Sequence, residues 1–272
     1  MNDPAMLPPP ATAVQPVPLS QLLRPGAENP PWTGMDVAVI AVIIFLAIVG
    51  FTAAGIAWVM ASGRLGARDA SVFLKDYRLI VSAQTAAYAA GVTWMVTLVR
   101  RRSPRGFWRE VRWDWPGSSR ALGYGLAGMA LAMAVDIASA YLPMPKTLPV
   151  DELFRSSHAA FTMAAFGIVV APFLEEIFFR GFLYPVLARG IGAALAIGVT
   201  SAAFAVVHQQ QLAHAWIPLL ILFLVAMVFT SVRARTRSVA CSWMMHAGYN
   251  TALFLLAFVA TDGFRHMEKI LR

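Results

Sequence analysis

Residues 173–184 read FLEEIFFRGFLY and set Glu175, Glu176 and Arg180 among eight large apolar side chains. Charges are costly in hydrocarbon and persist there only when they face protein or water and find partners. The surrounding sequence is apolar enough to span a bilayer, so these three groups need an explanation. On a helix, Glu176 and Arg180 are four apart and share a face, where they can neutralise each other. Glu175 is rotated by about 100° from Glu176 and lies five residues from Arg180, without a comparable partner on its own helix. One glutamate is therefore read as structural and the other as available for chemistry. Pro172 just upstream would put both near a helix start, where acids also favour the dipole. A plain cap does not normally sit between FL and IFF inside a bilayer.

The whole chain supports a membrane setting. Its 272 residues are 58% hydrophobic and 13% charged, with mean hydropathy +0.63, against about 25% charged in an ordinary soluble domain. The single cysteine, Cys241, rules out an intrachain disulfide and a cysteine metal cluster. The formal charge of +8 raises the question of nucleic acid. Most arginines, however, lie in short segments between apolar runs, as topology determinants do. Phe107, Trp108, Trp113 and Trp115 interleave with arginines at 101–116, which fits an interfacial segment against anionic lipid. The lipid bilayer is thus an expected partner and nucleic acid is not. Arginine in excess of lysine, with abundant alanine, points to a high-GC bacterial genome.

Residues 1–35 are proline-rich and read as a disordered tail, without the basic start and apolar core of a signal peptide. Apolar runs follow at about 36–62, 79–100, 121–142, 158–188, 191–208, 214–232 and 238–260. Most are near the ~20 residues needed to cross hydrocarbon. The fourth is longer and contains Pro172, so a kink or break is expected near Val170–Ala171. The fold class expected is all-α: a polytopic transmembrane bundle of seven to eight helices around a polar cavity. Its divisions would be the tail at 1–35, two helices and a basic segment at 36–118, a catalytic bundle at 119–262 and a tail at 263–272. Gly123, Gly125, Gly128, Gly198 and Ala202 are expected at helix contacts.

The segment 100–120 holds seven arginines and 233–237 holds three. Four spans lie between them, which puts both on one side, the cytoplasmic side by the positive-inside rule. The opposing loop at 62–78 carries four basic residues, so the asymmetry is moderate. The N-terminus would be cytoplasmic and the protein would sit in a bacterial inner membrane.

Few polar groups lie within the runs: Asp136, Glu175, Glu176, Arg180, His208, His246 and Asn250. Phe204 and His208 are four apart, as are His246 and Asn250, so each pair shares a helix face. Either histidine alone could be a hydrogen-bonded packing residue. Together, a carboxylate, two imidazoles and a carboxamide on three helices match what amide hydrolysis requires. A glutamate and a histidine can hold and deprotonate water, while a histidine and an asparagine can donate to the oxyanion. Glu175, His208 and His246 could alternatively ligate Zn²⁺ with water in the open position. The HExxH spacing is absent, and no metal is favoured.

The motifs EEIFFR at 175–180, FAVVH at 204–208 and HAGYN at 246–250, in this order, resemble the EExxxR, FxxxH and HxxxN signatures of the CPBP family. This family of intramembrane endopeptidases includes the type II CAAX prenyl proteases, bacteriocin-processing enzymes and Abi proteins. The resemblance covers roughly 120–260. It implies that Glu175 activates water with His208, that His246 and Asn250 hold the oxyanion, and that Glu176 and Arg180 shape the site. It also implies a peptide or membrane-protein substrate, and it leaves a metal undecided. Two other readings use the same groups: a non-proteolytic immunity or scaffold protein, and a proton-coupled transporter with Asp136 in its relay. Against transport, the chain has neither an inverted repeat nor matched broken helices.

Overall fold

The computed structural model describes residues 28–62, 76–145, 148–154 and 156–269. Residues 1–27 of the expected tail, most of the 62–78 loop and residues 270–272 lie outside these. Eight helices carry the fold: α1 Gly34–Ala61, α2 Tyr77–Arg102, α3 Phe107–Glu110, α4 Ser118–Ser139, α5 Ser157–Ile191, α6 Ala193–Val207, α7 Trp216–Thr236 and α8 Val239–Ala260. Among the described residues there is no strand, and six helices are long and apolar enough to cross a membrane. The architecture is an all-α polytopic bundle. The seven apolar runs of the sequence correspond to α1, α2 and α4 to α8, with ends shifted by a few residues. At 15 residues, α6 is about 22 Å long, short of a ~30 Å hydrocarbon core, and it ends at His208.

Large apolar side chains point outward on most of these helices, among them Phe45, Leu126, Leu195, Leu224 and Val259. Lipid, not water, is the medium in which such a surface is stable, as in an integral membrane protein. α1 and α2 form an antiparallel pair. Ala83, Ala87, Gly91, Met95 and Val99 make a buried stripe on α2, and Gly91 leaves room for Ile44. A Thr33–Asp36 capping box starts α1. Asp36 also accepts from Arg102 (2.8 Å), tying the start of α1 to the end of α2.

Of the kink or break expected in α5, the break is absent. Val170 and Ala171 keep right-handed helical dihedrals, and the helix continues through Pro172. The turn Phe166–Val170 widens to π geometry, and the Ala171 N–H bonds the Phe166 carbonyl five residues back. The wider turn makes room for the proline ring, which would otherwise clash with the carbonyl four residues back. It also leaves the Gly167 carbonyl without a donor from its own helix, since Ala171 is committed and Pro172 has no N–H. Asn250 of α8 supplies one, with Nδ2 at 2.6 Å. A second π turn, Ile177–Leu183, likewise precedes a proline, Pro185.

The tail expectation fails from residue 28 onward. Trp32 is almost wholly buried, stacks on Phe182 at 4.2 Å and donates its indole N–H to the Phe182 carbonyl at 3.1 Å. Arg189 donates to the carbonyls of Pro30 and Trp32, and Glu28 forms a buried pair with Arg233 at 3.0 Å. Residues 28–33 therefore strap α5 to α7. The described part of the C-terminal tail is packed too, with Phe264 and Met267 buried against Ala160. Hydrogen bonds from Val239 to the Arg112 carbonyl and from Ser238 to the Asp114 carbonyl join the two arginine-rich segments on one side of the bundle.

α4 and α8 meet backbone to backbone. A Cβ at Gly128 would lie 1.9 Å from the Met245 carbonyl oxygen, and one at Gly248 would lie 2.1 Å from that of Gly125. Gly123 and Gly198 have open space where a Cβ would go and Ala202 is exposed, so these three are not helix contacts. Asp136 is exposed in the last turn of α4, at the end of a span and not within its middle.

Two stability outcomes follow from these contacts. Gly248→Ala must push α4 off α8 and should cost at least about 2 kcal/mol, seen as a lower midpoint of thermal unfolding in detergent. Burial alone would push the Glu28 carboxyl up, but the Arg233 guanidinium outweighs it and holds the group below its ordinary value. The pair's contribution is thus present above the ordinary value of 4.5 and lost as pH falls through the folded-state value. Glu28→Gln should cost about 3 kcal/mol at neutral pH, and the gap from wild type should close on acidification in the same unfolding assay.

Candidate active site

Three helices converge on the charged stretch of α5. Glu176 and Arg180, four apart, are fully buried and paired, Oε1 to Nη1 at 3.0 Å. Arg180 carries several N–H donors in a fixed fork, and the bundle meets them. Nε donates to Thr230 Oγ1 (3.1 Å) and Nη2 to the Ala226 carbonyl (3.1 Å), both on α7. Its guanidinium lies 4.7 Å from the Phe204 ring centroid on α6, a favourable cation–π position. Ser201 of α6 lies 3.3 Å from Thr230 behind it.

Glu176 accepts two further hydrogen bonds from α8. His246 Nδ1 is 3.0 Å from Oε1, and the Ser242 hydroxyl donates to Oε2 at 2.7 Å. Both carboxylate oxygens are thus occupied in a site closed to solvent. Such closed surroundings suit a brace and not an acid–base catalyst.

Glu175 has the opposite surroundings. Its side chain retains 15% exposure, and its two oxygens face two imidazoles: His208 Nε2 is 3.8 Å from Oε1 and His246 Nε2 is 3.9 Å from Oε2. The other nitrogen of each ring is committed, Nδ1 of His208 to the Phe204 carbonyl at 2.7 Å and Nδ1 of His246 to Glu176. A carbonyl can only accept, so His208 carries its hydrogen on Nδ1, and neutral His208 presents a lone pair at Nε2. Phe204 packs beside both rings, with its centroid 4.5 Å from His208 and 5.9 Å from His246, and Phe229 stacks on His246 at 4.7 Å.

The structure brings together Glu175, Glu176, Arg180, Phe204, His208 and His246. Asn250 stands one turn beyond His246 on the same face of α8, with one amide hydrogen spent on Gly167. Among the described residues, no group of three or more His, Cys, Asp or Glu is arranged to hold a metal ion.

Sequence reasoning missed Ser242, Thr230 and Phe229. Ser242 was legible in principle, since Ser242, His246 and Asn250 recur every four residues along one face of α8. Thr230 and Phe229 carry no such signal; their role depends on how α7 packs.

Residues 157–252 match the family described as Rce1-like, type II CAAX prenyl endopeptidase. The matched segment takes in α5 to α7 and the part of α8 that carries the site. It supports the CAAX-protease family, as the three motifs implied, and with it a CAAX-type intramembrane endopeptidase in general. No curated protein and no solved structure matches the chain.

Glu176→Gln should leave Arg180 buried without its counter-charge. Removing one partner of such a pair typically costs about 3–5 kcal/mol, and a matching loss of thermal stability in detergent is expected. An unchanged unfolding midpoint would remove the brace assignment.

Proposed function

We propose that the protein is a glutamate-dependent intramembrane endopeptidase that hydrolyses a peptide bond of a membrane-associated peptide or protein. The reading is carried by the contrast between two adjacent carboxylates: Glu176 is sealed with both oxygens hydrogen-bonded, whereas Glu175 is partly open and faced by two imidazole Nε2 atoms. Glu175 takes a proton from water as the water oxygen attacks the scissile carbonyl carbon. His208, with its Nε2 lone pair free, holds the same water. The carbonyl oxygen becomes an oxyanion, for which His246 and Asn250 provide donors. His246 donates from Nε2 only when its ring carries both protons, as an imidazolium faced by Glu175 and Glu176. The amide hydrogen of Asn250 not spent on Gly167 gives the second bond. Collapse of the tetrahedral species breaks the C–N bond, and the proton held by Glu175 passes to the leaving amine.

The arginine-rich side is assigned to the cytoplasm by the positive-inside rule. Residues 28–33 lie on that side through their contacts with Arg189 and Arg233, so the chain enters α1 from the cytoplasm. In a bacterial inner membrane the substrate would be a bacteriocin-like peptide or another membrane protein, not a prenylated one.

Glu175→Gln should reduce cleavage about 10³-fold with thermal stability unchanged. The comparison is between membrane-peptide profiles of cells carrying wild type and variant, followed by cleavage of the differing peptide in liposomes. Equal profiles would favour a non-proteolytic binding role. Activity should survive chelation; one tightly bound zinc per purified chain, with activity lost on its removal, would overturn the metal-free mechanism.

A further inference from the structure

We propose that Ser242 is a positioning residue for the hydrolytic site, acting on His246 through Glu176. This rests on the reading of Glu175 as the catalytic base. Ser242 is fully buried, one helical turn before His246 on the face of α8 that meets α5. Its hydroxyl has one hydrogen and two acceptors in reach: Glu176 Oε2 at 2.7 Å and the Val239 carbonyl at 3.1 Å. The shorter contact, to an ionised acceptor, is the stronger.

The consequence lies in what each oxygen of Glu176 does. Oε1 serves both Arg180 and His246. The described contacts of Oε2 are to Ser242 alone. The terminal torsion of a glutamate is broad and soft, so contacts on Oε1 alone leave the carboxylate free to rock about the Arg180 contact. Ser242 pins the second oxygen and fixes the carboxylate plane. That plane sets the direction in which Oε1 receives Nδ1 of His246, and hence where Nε2 of the same ring points, 3.9 Å from Glu175. The serine touches no reacting atom, yet it determines the aim of a ring that does.

Ser242→Ala, assayed on the peptide whose cleavage disappears in Glu175→Gln membranes, should lower kcat about 10- to 100-fold and leave KM within a factor of two. Ser242→Thr, which restores a hydroxyl, should recover kcat to within about threefold. A residue that only fills space would predict the reverse: kcat per folded molecule preserved in the alanine variant and no special benefit from threonine. If the alanine variant does not fold, Ser242→Cys keeps the volume with a weak donor and should show the same kcat loss. Unchanged kcat in the folded alanine or cysteine variant, or no recovery with threonine, overturns the proposal. Continued cleavage by Glu175→Gln would instead overturn the assignment of the base and with it the premise.

Discussion

A guanidinium and a carboxylate, four residues apart and fully closed off from solvent, hold this bundle in register. Neither Arg180 nor Glu176 is stable in that position with only the other for company, because a single contact leaves donors and lone pairs unmet in a low-dielectric interior. Their remaining valences recruit the neighbours: Thr230 and the Ala226 carbonyl from α7, Ser242 and His246 from α8, and the face of Phe204 from α6. One intrahelical pair thereby fixes four helices relative to one another. The imidazole beside Glu175 owes its position to this arrangement, since His246 is held through Nδ1 by the brace.

The neighbouring glutamates show how a helix separates chemistry by rotation alone. Glu176 faces inward to the ion-pair network. Glu175, a third of a turn away, faces His208 of α6 and His246 of α8 and keeps partial exposure. The pair therefore divides into a carboxylate with both oxygens hydrogen-bonded in a closed site and one that keeps partial exposure. Phe204 and Phe229 line the boundary between the two environments and limit how far either imidazole can swing.

Much of this was legible in the sequence because it follows from spacing. The helical runs and the sharing of a face by Glu176 and Arg180 depend on the 3.6-residue period and on the cost of polar groups in lipid, whereas His208 and His246, on different helices, were joined only by the inventory that amide hydrolysis needs and by the motif resemblance. What was not legible depends on partners distant in the chain. The proline-rich composition around Trp32 looked like a tail because nothing local reveals that an indole will meet the Phe182 carbonyl. Glycines at 123 and 128 look alike in sequence; only the crossing of α4 and α8 decides that one is a contact and the other faces outward. Pro172 was read as a kink or break because the remedy for its missing donor lies on α8.

That remedy links the fold to the site. Along one face of α8, Ser242 and His246 bond Glu176, and Asn250 bonds Gly167 of the same helix α5. The positions rise along α8 as they fall along α5, as two antiparallel helices require, and both intervals cover about 12–14 Å at 1.5 Å per residue. On the opposite face of α8, Gly248 lies against Gly125 with no space for a methyl group. α8 is thus clamped between a polar seam and a glycine seam. A shift at the glycines moves the hydrogen bonds, and a change at the hydrogen bonds moves the two residues expected to hold the oxyanion. Asn250 belongs to both descriptions, since one of its amide hydrogens repairs the backbone at Pro172 and the other is the donor proposed for the oxyanion. The proline and its π turn therefore do more than bend α5: they create the carbonyl that fixes the direction of this amide.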